Sequence, residues 1–307
     1  MPIAFISHHD CSLHDMGAGH PECPARLGAI NDRLISSGLD LAVHQYDAPL
    51  ASRAQLQRVH DPDYVSGIFT EAPDDGLLRL DADTMMMPKT LDAALRAAGA
   101  GILGVDLVMA GQVGSAFCSV RPPGHHAERH RAMGFCIFNN VAVAAAHALE
   151  AHGLDRVAVV DFDGHHGNGT EDIFRHDHRV LFCSTFQHPF YPFSGEDSGS
   201  DHIVNLPLAA GADGSAFRAA VEGHWLPALE GFAPQMIIIS AGFDAHAEDD
   251  MGQLRRREPD YAWVTTQLRE LAENHAEGRI VSLLEGGYAL SALGRSASAH
   301  IDALLGH

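Results

Sequence analysis

Two carboxylates and a histidine follow one apolar stretch of the chain at regular spacing. Residues 157–169 read VAVVDFDGHHGNG, so Asp161, Asp163 and His165 come at every second position as the apolar run ends. In an extended chain, residues two apart point to the same side, and a buried carboxylate without a partner is costly. We therefore expect these side chains to meet a cation at the end of a strand.

A third acidic residue, Asp244, directly follows another apolar run, QMIIISAGF. Together with Asp163 and His165 it makes a set of three ligands, and a catalytic metal site typically has three protein ligands and one position for water. Zinc is the first expectation, and Fe²⁺ or Co²⁺ suits the same donors. One such motif alone would equally fit a surface turn with capping aspartates. We assign Asp161 a supporting role, in which it holds a histidine or a monovalent cation.

Two further loops carry groups that could act on a water or a carbonyl. His125 and His126 follow RPPG, and a histidine there could take a proton from a water whose pKa a metal has lowered. Asp161 and Asn168 are suitable orienting partners for the two rings. Tyr288 follows EGG, and its phenol could donate a hydrogen bond to an oxygen that gains negative charge. A capped loop and a packed core tyrosine are the respective structural alternatives.

The charge and composition of the chain limit the kinds of partner and the location that we expect for it. The chain has 307 residues, 46% of them hydrophobic, and a formal net charge of −20, which argues against nucleic acid because phosphate binding needs a basic face. The five cysteines are odd in number and form no CxxC pair, which fits a reducing cytoplasm. We find no signal peptide and no apolar run of transmembrane length. We therefore expect a cytoplasmic protein that binds no membrane.

Short Val- and Ile-rich runs alternate with longer stretches of helical periodicity. We predict strands at 3–6, 115–120, 157–161, 180–184, 236–240 and 280–284. We predict helices at 88–110, 141–152, 215–229 and 259–273. This alternation indicates a mainly parallel sheet covered on both faces. The loops that carry the acidic, histidine and tyrosine residues named above follow strands, so they should face one crevice beyond the carboxyl ends of those strands.

Five motifs in order resemble those of one family. RPPGHHAE, AMGFCIFNN, VVDFDGHHGNGT, SAGFDAH and EGGY are similar to the motifs of the zinc-dependent histone deacetylase superfamily, which also contains acetylpolyamine amidohydrolases. The segment HPECPAR at 20–26 resembles the first loop of that family, so the likeness spans nearly the whole chain. It implies one arginase/deacetylase-like α/β domain over 1–307, with a central eight-stranded parallel sheet flanked by helices.

The resemblance also implies roles for single residues. Asp163, His165 and Asp244 match the zinc ligands of the family. His125 and His126 match its tandem catalytic histidines, with His126 as the general base, and Tyr288 matches the tyrosine that polarises the acyl carbonyl. Asn168 stands where class I members have Asp and class II members have Asn, which places the chain in the class II-like branch, among its bacterial members.

Other matches concern the substrate tunnel and a second ion. Gly134 and Phe135 match one wall of the acyl-lysine tunnel and Tyr191 the opposite wall, Met251 matches a position on its rim, and Arg26 matches an arginine near the acetate exit. The potassium ion of the family would be bound by the following positions: Asp161, Asp163, His165, Ser184 and Thr185. The rim acid that grips the substrate backbone has no clear counterpart, and Asp81 or Asp83 could take its place.

These observations predict a metal-dependent amidohydrolase that removes acyl groups from lysine side chains of proteins or peptides. Deacetylation of acetylpolyamines is the alternative within the same class, and the apolar Met251 favours lysine. A catalytically inactive relative that serves as a binding module is the alternative outside it, and the intact set of ligands speaks against that. A homo-oligomer is compatible with the sequence.

Overall fold

The computed structural model describes residues 2–307 and contains ten strands. Eight of them form one parallel sheet in the order β2-β1-β5-β10-β9-β6-β7-β8, and β3 pairs with β4 in a separate antiparallel ribbon. The strands are β1 (Ile3–Ser7), β2 (Val43–Asp47), β3 (Leu78–Arg79), β4 (Met85–Met86), β5 (Ser115–Cys118), β6 (Val157–Asp161), β7 (Val180–Gln187), β8 (Ile203–Leu208), β9 (Met236–Ala241) and β10 (Ile280–Leu284).

The central strands are buried along their whole length, as strands of a parallel sheet covered on both faces must be. Their register aligns the carboxyl ends, because Asp161 of β6 lies opposite Ser240 of β9 and Ser184 of β7. The segments that follow β6 and β9 therefore leave the sheet side by side.

Helices cover both faces of the sheet. They are α1 (Ala25–Ser37), α2 (Arg53–Leu56), α3 (Pro62–Glu71), α4 (Thr90–Met109), α5 (Asn140–His152), α6 (Asn168–Phe174), α7 (Gly214–Ala220), α8 (Leu226–Phe232), α9 (Glu258–His275) and α10 (Leu290–Leu305). Gly101 and Gly104 let α4 approach Leu283 and Val281 of β10 closely. His300 of α10 contacts Ser282, which points to the opposite face because side chains alternate along a strand.

The prediction of an eight-stranded parallel sheet flanked by helices is confirmed, and all six predicted strands are present. The two edge strands, β2 and β8, are absent from the prediction because VHQYD and IVNLPL contain polar residues and a proline, which edge strands tolerate. The predicted helix at 215–229 is divided by a π-helical turn at Val221–Trp225. Among the described residues, no helix is both long enough and apolar enough to cross a membrane.

Candidate active site

The three residues expected to bind a metal lie together beyond the ends of β6 and β9. The Nδ1 atom of His165 is 3.1 Å from Asp163 Oδ1 and 3.0 Å from Asp244 Oδ2. One ligand atom from each of the three residues lies within 4.8 Å of the others, and all three side chains are buried. Asp161 lies outside this group.

Backbone amides orient the two carboxylates of this group. The N–H of Gly286 donates to Asp163 Oδ2 at 2.9 Å, and the N–H of Gly164 donates to Asp244 Oδ1 at 2.6 Å. A Cβ atom at Gly286 would collide with the Asp244 carboxylate, so only glycine permits this approach. The remaining oxygen of each carboxylate is left facing His165.

The electrostatics of the group suit a divalent cation. Burial and the charge of Asp163 raise the pKa of Asp244 to about 6. Burial also acts to raise the pKa of Asp163, but the charges of His125 and His165 outweigh it and hold that pKa below its ordinary value. The buried carboxylates of Asp163 and Asp244 lie close together and repel each other. A bound cation that prefers oxygen and nitrogen ligands relieves that repulsion.

The tandem histidines have different partners and different protonation. His125 Nδ1 is 2.9 Å from Asp161 Oδ2, whereas His126 Nδ1 is 2.8 Å from Asn168 Oδ1. Burial opposes a charge on His125, but Asp161 and Asp163 outweigh burial and raise its pKa to about 10. Burial and the charge of His125 lower the pKa of His126 well below its ordinary value. At neutral pH, therefore, His125 holds a proton and His126 is free to accept one.

Glu285 supports this histidine pair from below, and it is absent from the sequence prediction. Its Oε2 atom accepts the N–H groups of Gly124 and His125 at 2.6 and 3.0 Å, and its Oε1 atom accepts the hydroxyl of Ser240 at 3.1 Å. Burial raises the pKa of Glu285 to about 7. An acidic residue at the end of the apolar strand β10 was the available signal, the same one that identified Asp161.

A cavity of about 220 Å³ ends at these groups. It is lined by Asp83, His126, Gly134, Phe135, His165, Phe190, Tyr191, Met251 and Tyr288. The four residues matched to the substrate tunnel thus lie on one cavity. Phe190 stacks on His165, with ring centroids 5.4 Å apart, and completes an aromatic wall.

In the cavity wall nearest the histidines, the backbone of the chain comes close to a histidine ring. Gly134 has φ +56°, and a Cβ atom there would collide with the ring of His126. Tyr191 packs edge-on against His126 at 5.2 Å between centroids. Its hydroxyl is buried and has no hydrogen-bond partner among the described residues.

Tyr288 closes the same cavity from the loop after β10. Its ring packs edge-on against Phe135 at 5.8 Å, and burial raises its pKa well above the ordinary value, so the phenol keeps its proton. Arg26 is fully buried beneath this loop, where it donates to the carbonyl of Gly287 at 2.6 Å and pairs with Glu22 at 3.1 Å. Its guanidinium carbon lies 4.9 Å from the centre of the Tyr288 ring.

The residues matched to the potassium site are also buried, around the end of β6 and within the adjacent part of β7. Ser184 lies opposite Asp161 in the sheet. The hydroxyl of Thr185 accepts a hydrogen bond from Arg256 at 3.0 Å, and this arginine, which the sequence prediction does not include, also donates to the carbonyl of Phe162. Potassium binding by these five positions stays a prediction.

Comparisons with known proteins agree in the family that they indicate. A family model described as the histone deacetylase domain matches residues 20–304. A histone deacetylase-like amidohydrolase of Pseudomonas aeruginosa is 39% identical, over 88% of this chain and 73% of that protein. The polyamine deacetylase HDAC10 of Homo sapiens is 39% identical, over 100% of this chain and 48% of that protein.

A solved structure agrees with these sequence matches. The HD domain of HDA15 superposes with a TM-score of 0.93 at 34% sequence identity. The superposition covers 100% of this chain and 88% of that one. The whole fold described above is therefore similar to that of the HDA15 HD domain.

Proposed function

The chain belongs to the histone deacetylase family, whose members hydrolyse amides, and from that premise we propose that it is a zinc-dependent deacetylase of acyl-lysine side chains in proteins or peptides. One observation carries this proposal. His126, His165 and Tyr288 all line the same narrow cavity, so a base, a candidate metal ligand and an oxyanion donor can reach one carbonyl group.

We propose Asp163, His165 and Asp244 as the ligands of Zn²⁺, with Fe²⁺ as an alternative that suits the same donors. When bound, the metal would lower the pKa of a water and polarise the acyl carbonyl. A structural K⁺ held by Asp161 and Ser184, among the positions given above, would add positive charge behind the carboxylates.

The side chains supply the proton transfers. His126, which is neutral because of burial and the charge of His125, accepts the proton of the attacking water. Tyr288 donates a hydrogen bond from its phenolic hydroxyl to the carbonyl oxygen as that oxygen gains negative charge. A protonated histidine then donates to the leaving nitrogen, so the lysine amine departs neutral. Asp161 and Asn168 keep the two rings in place.

The shape of the cavity supports an acyl-lysine substrate. Phe135, Phe190 and Tyr191 form walls that suit the aliphatic part of a lysine side chain, and Met251 adds an apolar rim. Two observations favour acetylpolyamines as the second candidate: the carboxyl-bearing Asp83 lines the same cavity, and a similar protein is a polyamine deacetylase.

Three further proposals concern partners, location and domain organisation. A net charge of −20 disfavours nucleic acid as a partner. All five cysteines are free, four of them buried, which suits the reducing cytoplasm. We propose that residues 1–307 act there as one deacetylase domain.

The direct test is hydrolysis of a fluorogenic acetyl-lysine peptide by the purified protein, with and without a hydroxamate chelator. We expect turnover that the hydroxamate abolishes and that an acetylputrescine competitor barely reduces. Absence of turnover by protein with a full complement of zinc would contradict the proposal. Turnover of acetylputrescine well above that of the peptide would favour the second candidate.

A further inference from the structure

We propose that Asp249 is a positioning residue for Tyr288, and that it fixes the tyrosine relative to the loop that carries Asp244. This inference rests on the proposed function, because it assigns Asp249 a role in placing the oxyanion donor. Asp249 is buried, with 6% of its surface exposed, although it lies in a run of three acidic residues, Glu248 to Asp250.

The carboxylate of Asp249 accepts hydrogen bonds from three backbone N–H groups. Its Oδ2 atom accepts the N–H of Tyr288 at 2.6 Å and the N–H of Ala289 at 2.8 Å. Its Oδ1 atom accepts the N–H of Met251 at 3.0 Å. Hydrogen bonds to an ionised acceptor are stronger than neutral ones, so one side chain holds together the backbones of two residues that line the cavity.

The other contacts of the tyrosine loop hold different residues. Arg26 binds the carbonyl of Gly287, and the N–H of Phe243 donates to the carbonyl of Gly286 at 3.0 Å. Gly287 has φ +122°, a conformation that glycine adopts readily. The carbonyl of Gly287 and the N–H of Tyr288 belong to one peptide group, so Arg26 and Asp249 hold its two sides, and Asp249 is the group that fixes the N–H of the tyrosine itself.

The position of Asp249 in the chain explains why this contact should affect catalysis. Asp249 lies on the segment after β9 that also provides Asp244. Its carboxylate therefore connects the loop of a candidate metal ligand with the loop of the oxyanion donor. A displacement of about 1 Å in a reacting group can cost about 10²-fold in rate. Loss of this connection should therefore reduce turnover more than it weakens substrate binding.

A purely structural role is the alternative, because Ala289 is the N-cap residue of α10 and its N–H needs an acceptor. The two roles differ in their dependence on the tyrosine hydroxyl. If Asp249 acts through Tyr288, its effect on turnover disappears once that hydroxyl is removed. If it only stabilises the helix, its effect is the same with or without the hydroxyl.

The experiment is a double-mutant cycle with Asp249→Asn and Tyr288→Phe, assayed on an acetyl-lysine peptide at full zinc loading. Asparagine keeps the size of the side chain but replaces one acceptor oxygen with an NH₂ group that faces backbone N–H donors. Asp213→Asn is the matched control, because Asp213 also accepts two successive N–H groups, those of Ser215 and Ala216, at the start of α7.

We expect Asp249→Asn to lower kcat by about 10- to 100-fold with little change in KM, and to have less than about a twofold effect in the Tyr288→Phe background. Asp213→Asn should leave kcat unchanged. Equal losses in both backgrounds, or no loss in either, would overturn the proposal. Should Asp249→Asn unfold, Asp249→Glu, which keeps the charge but moves it, takes its place in the cycle. Wild-type inactivity on every amide tested would instead count against the proposed function.

Discussion

The Nδ1 atom of His126 lies 2.8 Å from the side-chain oxygen of Asn168, and this hydrogen bond determines which ring nitrogen faces the substrate. The amide NH₂ of Asn168 donates to the Glu128 carboxylate at 2.8 Å, which accepts only, so the amide oxygen faces the imidazole. Nδ1 of His126 therefore carries the proton, and the lone pair of Nε2 is available to a water.

Replacing Asn168 with alanine should remove this control of the tautomer. General acid–base catalysis contributes about 10²–10⁴-fold, and a ring that is often in the wrong tautomer or orientation loses part of it. We expect Asn168→Ala to lower kcat by about tenfold or more, with unchanged zinc content. A rate equal to that of the wild type would show that the ring needs no partner at Nδ1.

The metal assignment predicts equivalent losses at three positions. Asp163→Ala, His165→Ala and Asp244→Ala should each bind less metal and show no turnover, because two remaining ligands cannot maintain the site. His152→Ala is the matched control, since His152 and His147 share a similar group with Asp106 elsewhere. Elemental analysis and initial rates test this, and full metal content with a normal rate in any of the three would refute the assignment.

The tyrosine hydroxyl should act in catalysis and not in metal binding. Tyr288→Phe keeps the edge-on contact with Phe135 and deletes one donor. Loss of one oxyanion donor typically costs about 10²–10³-fold in kcat, and we expect a loss of that size with unchanged metal content. A variant within a few-fold of the wild type would mean that the substrate carbonyl does not point at Tyr288.

Much of the site could be predicted from the sequence because its chemistry interrupts apolar runs. Asp161, Asp163, His165 and Asp244 stand out because acidic and imidazole groups directly follow buried strands. In a parallel sheet, the ends of neighbouring strands meet at one edge. Order along the chain was therefore enough to place these residues together, and the structure does place the last three together.

The residues that the sequence did not reveal act through long-range backbone contacts. Asp249 accepts from Tyr288, a residue far along the chain, and nothing in the run EDDM distinguishes the buried aspartate from its exposed neighbours. Glu285 and Arg256 are similar cases, since they bind side chains of distant strands, Ser240 of β9 and Thr185 of β7. The edge strands β2 and β8 also escaped prediction, because partly exposed strands lack a continuous apolar run.

Buried neutral histidines should make the fold sensitive to acid. His300 lies between the hydroxyls of Thr265 and Ser282, at 2.6 and 2.8 Å, and burial lowers its pKa to about 3 from an ordinary 6.5. Between these two pH values the unfolded chain binds a proton that the folded chain does not, so the free energy of unfolding falls as the pH falls.

Replacing this histidine should therefore flatten the pH dependence of stability. One such group contributes about 1.4 kcal/mol per pH unit over that range. We expect urea unfolding at pH 7, 6 and 5 to show a smaller decline for His300→Gln than for the wild type, while His176→Gln, at an exposed position, matches the wild type. Parallel declines for all three proteins would mean that His300 is protonated in the fold.

Substrate choice should depend on Met251 at the rim of the cavity. An acetylpolyamine carries a cationic amine part-way along its chain, and an apolar side chain leaves that cation without a partner. Two nearby carboxylates are already engaged, because Glu248 pairs with Arg295 at 2.8 Å and Asp249 accepts three backbone N–H groups. The wild-type protein should therefore prefer acetyl-lysine peptides to acetylputrescine or acetylspermidine.

Met251→Glu should shift this preference, because a carboxylate at the rim would make a charge-assisted hydrogen bond with the amine. A hydrogen bond to a charged group contributes about 1.5–3 kcal/mol, so the ratio of the two kcat/KM values should move toward the polyamine by about tenfold or more. Met251→Gln, of similar size but uncharged, should shift the ratio far less. Should the wild type already prefer the acetylpolyamine, Asp83 on the cavity wall is the carboxylate to replace next, and the assignment to lysine would be wrong.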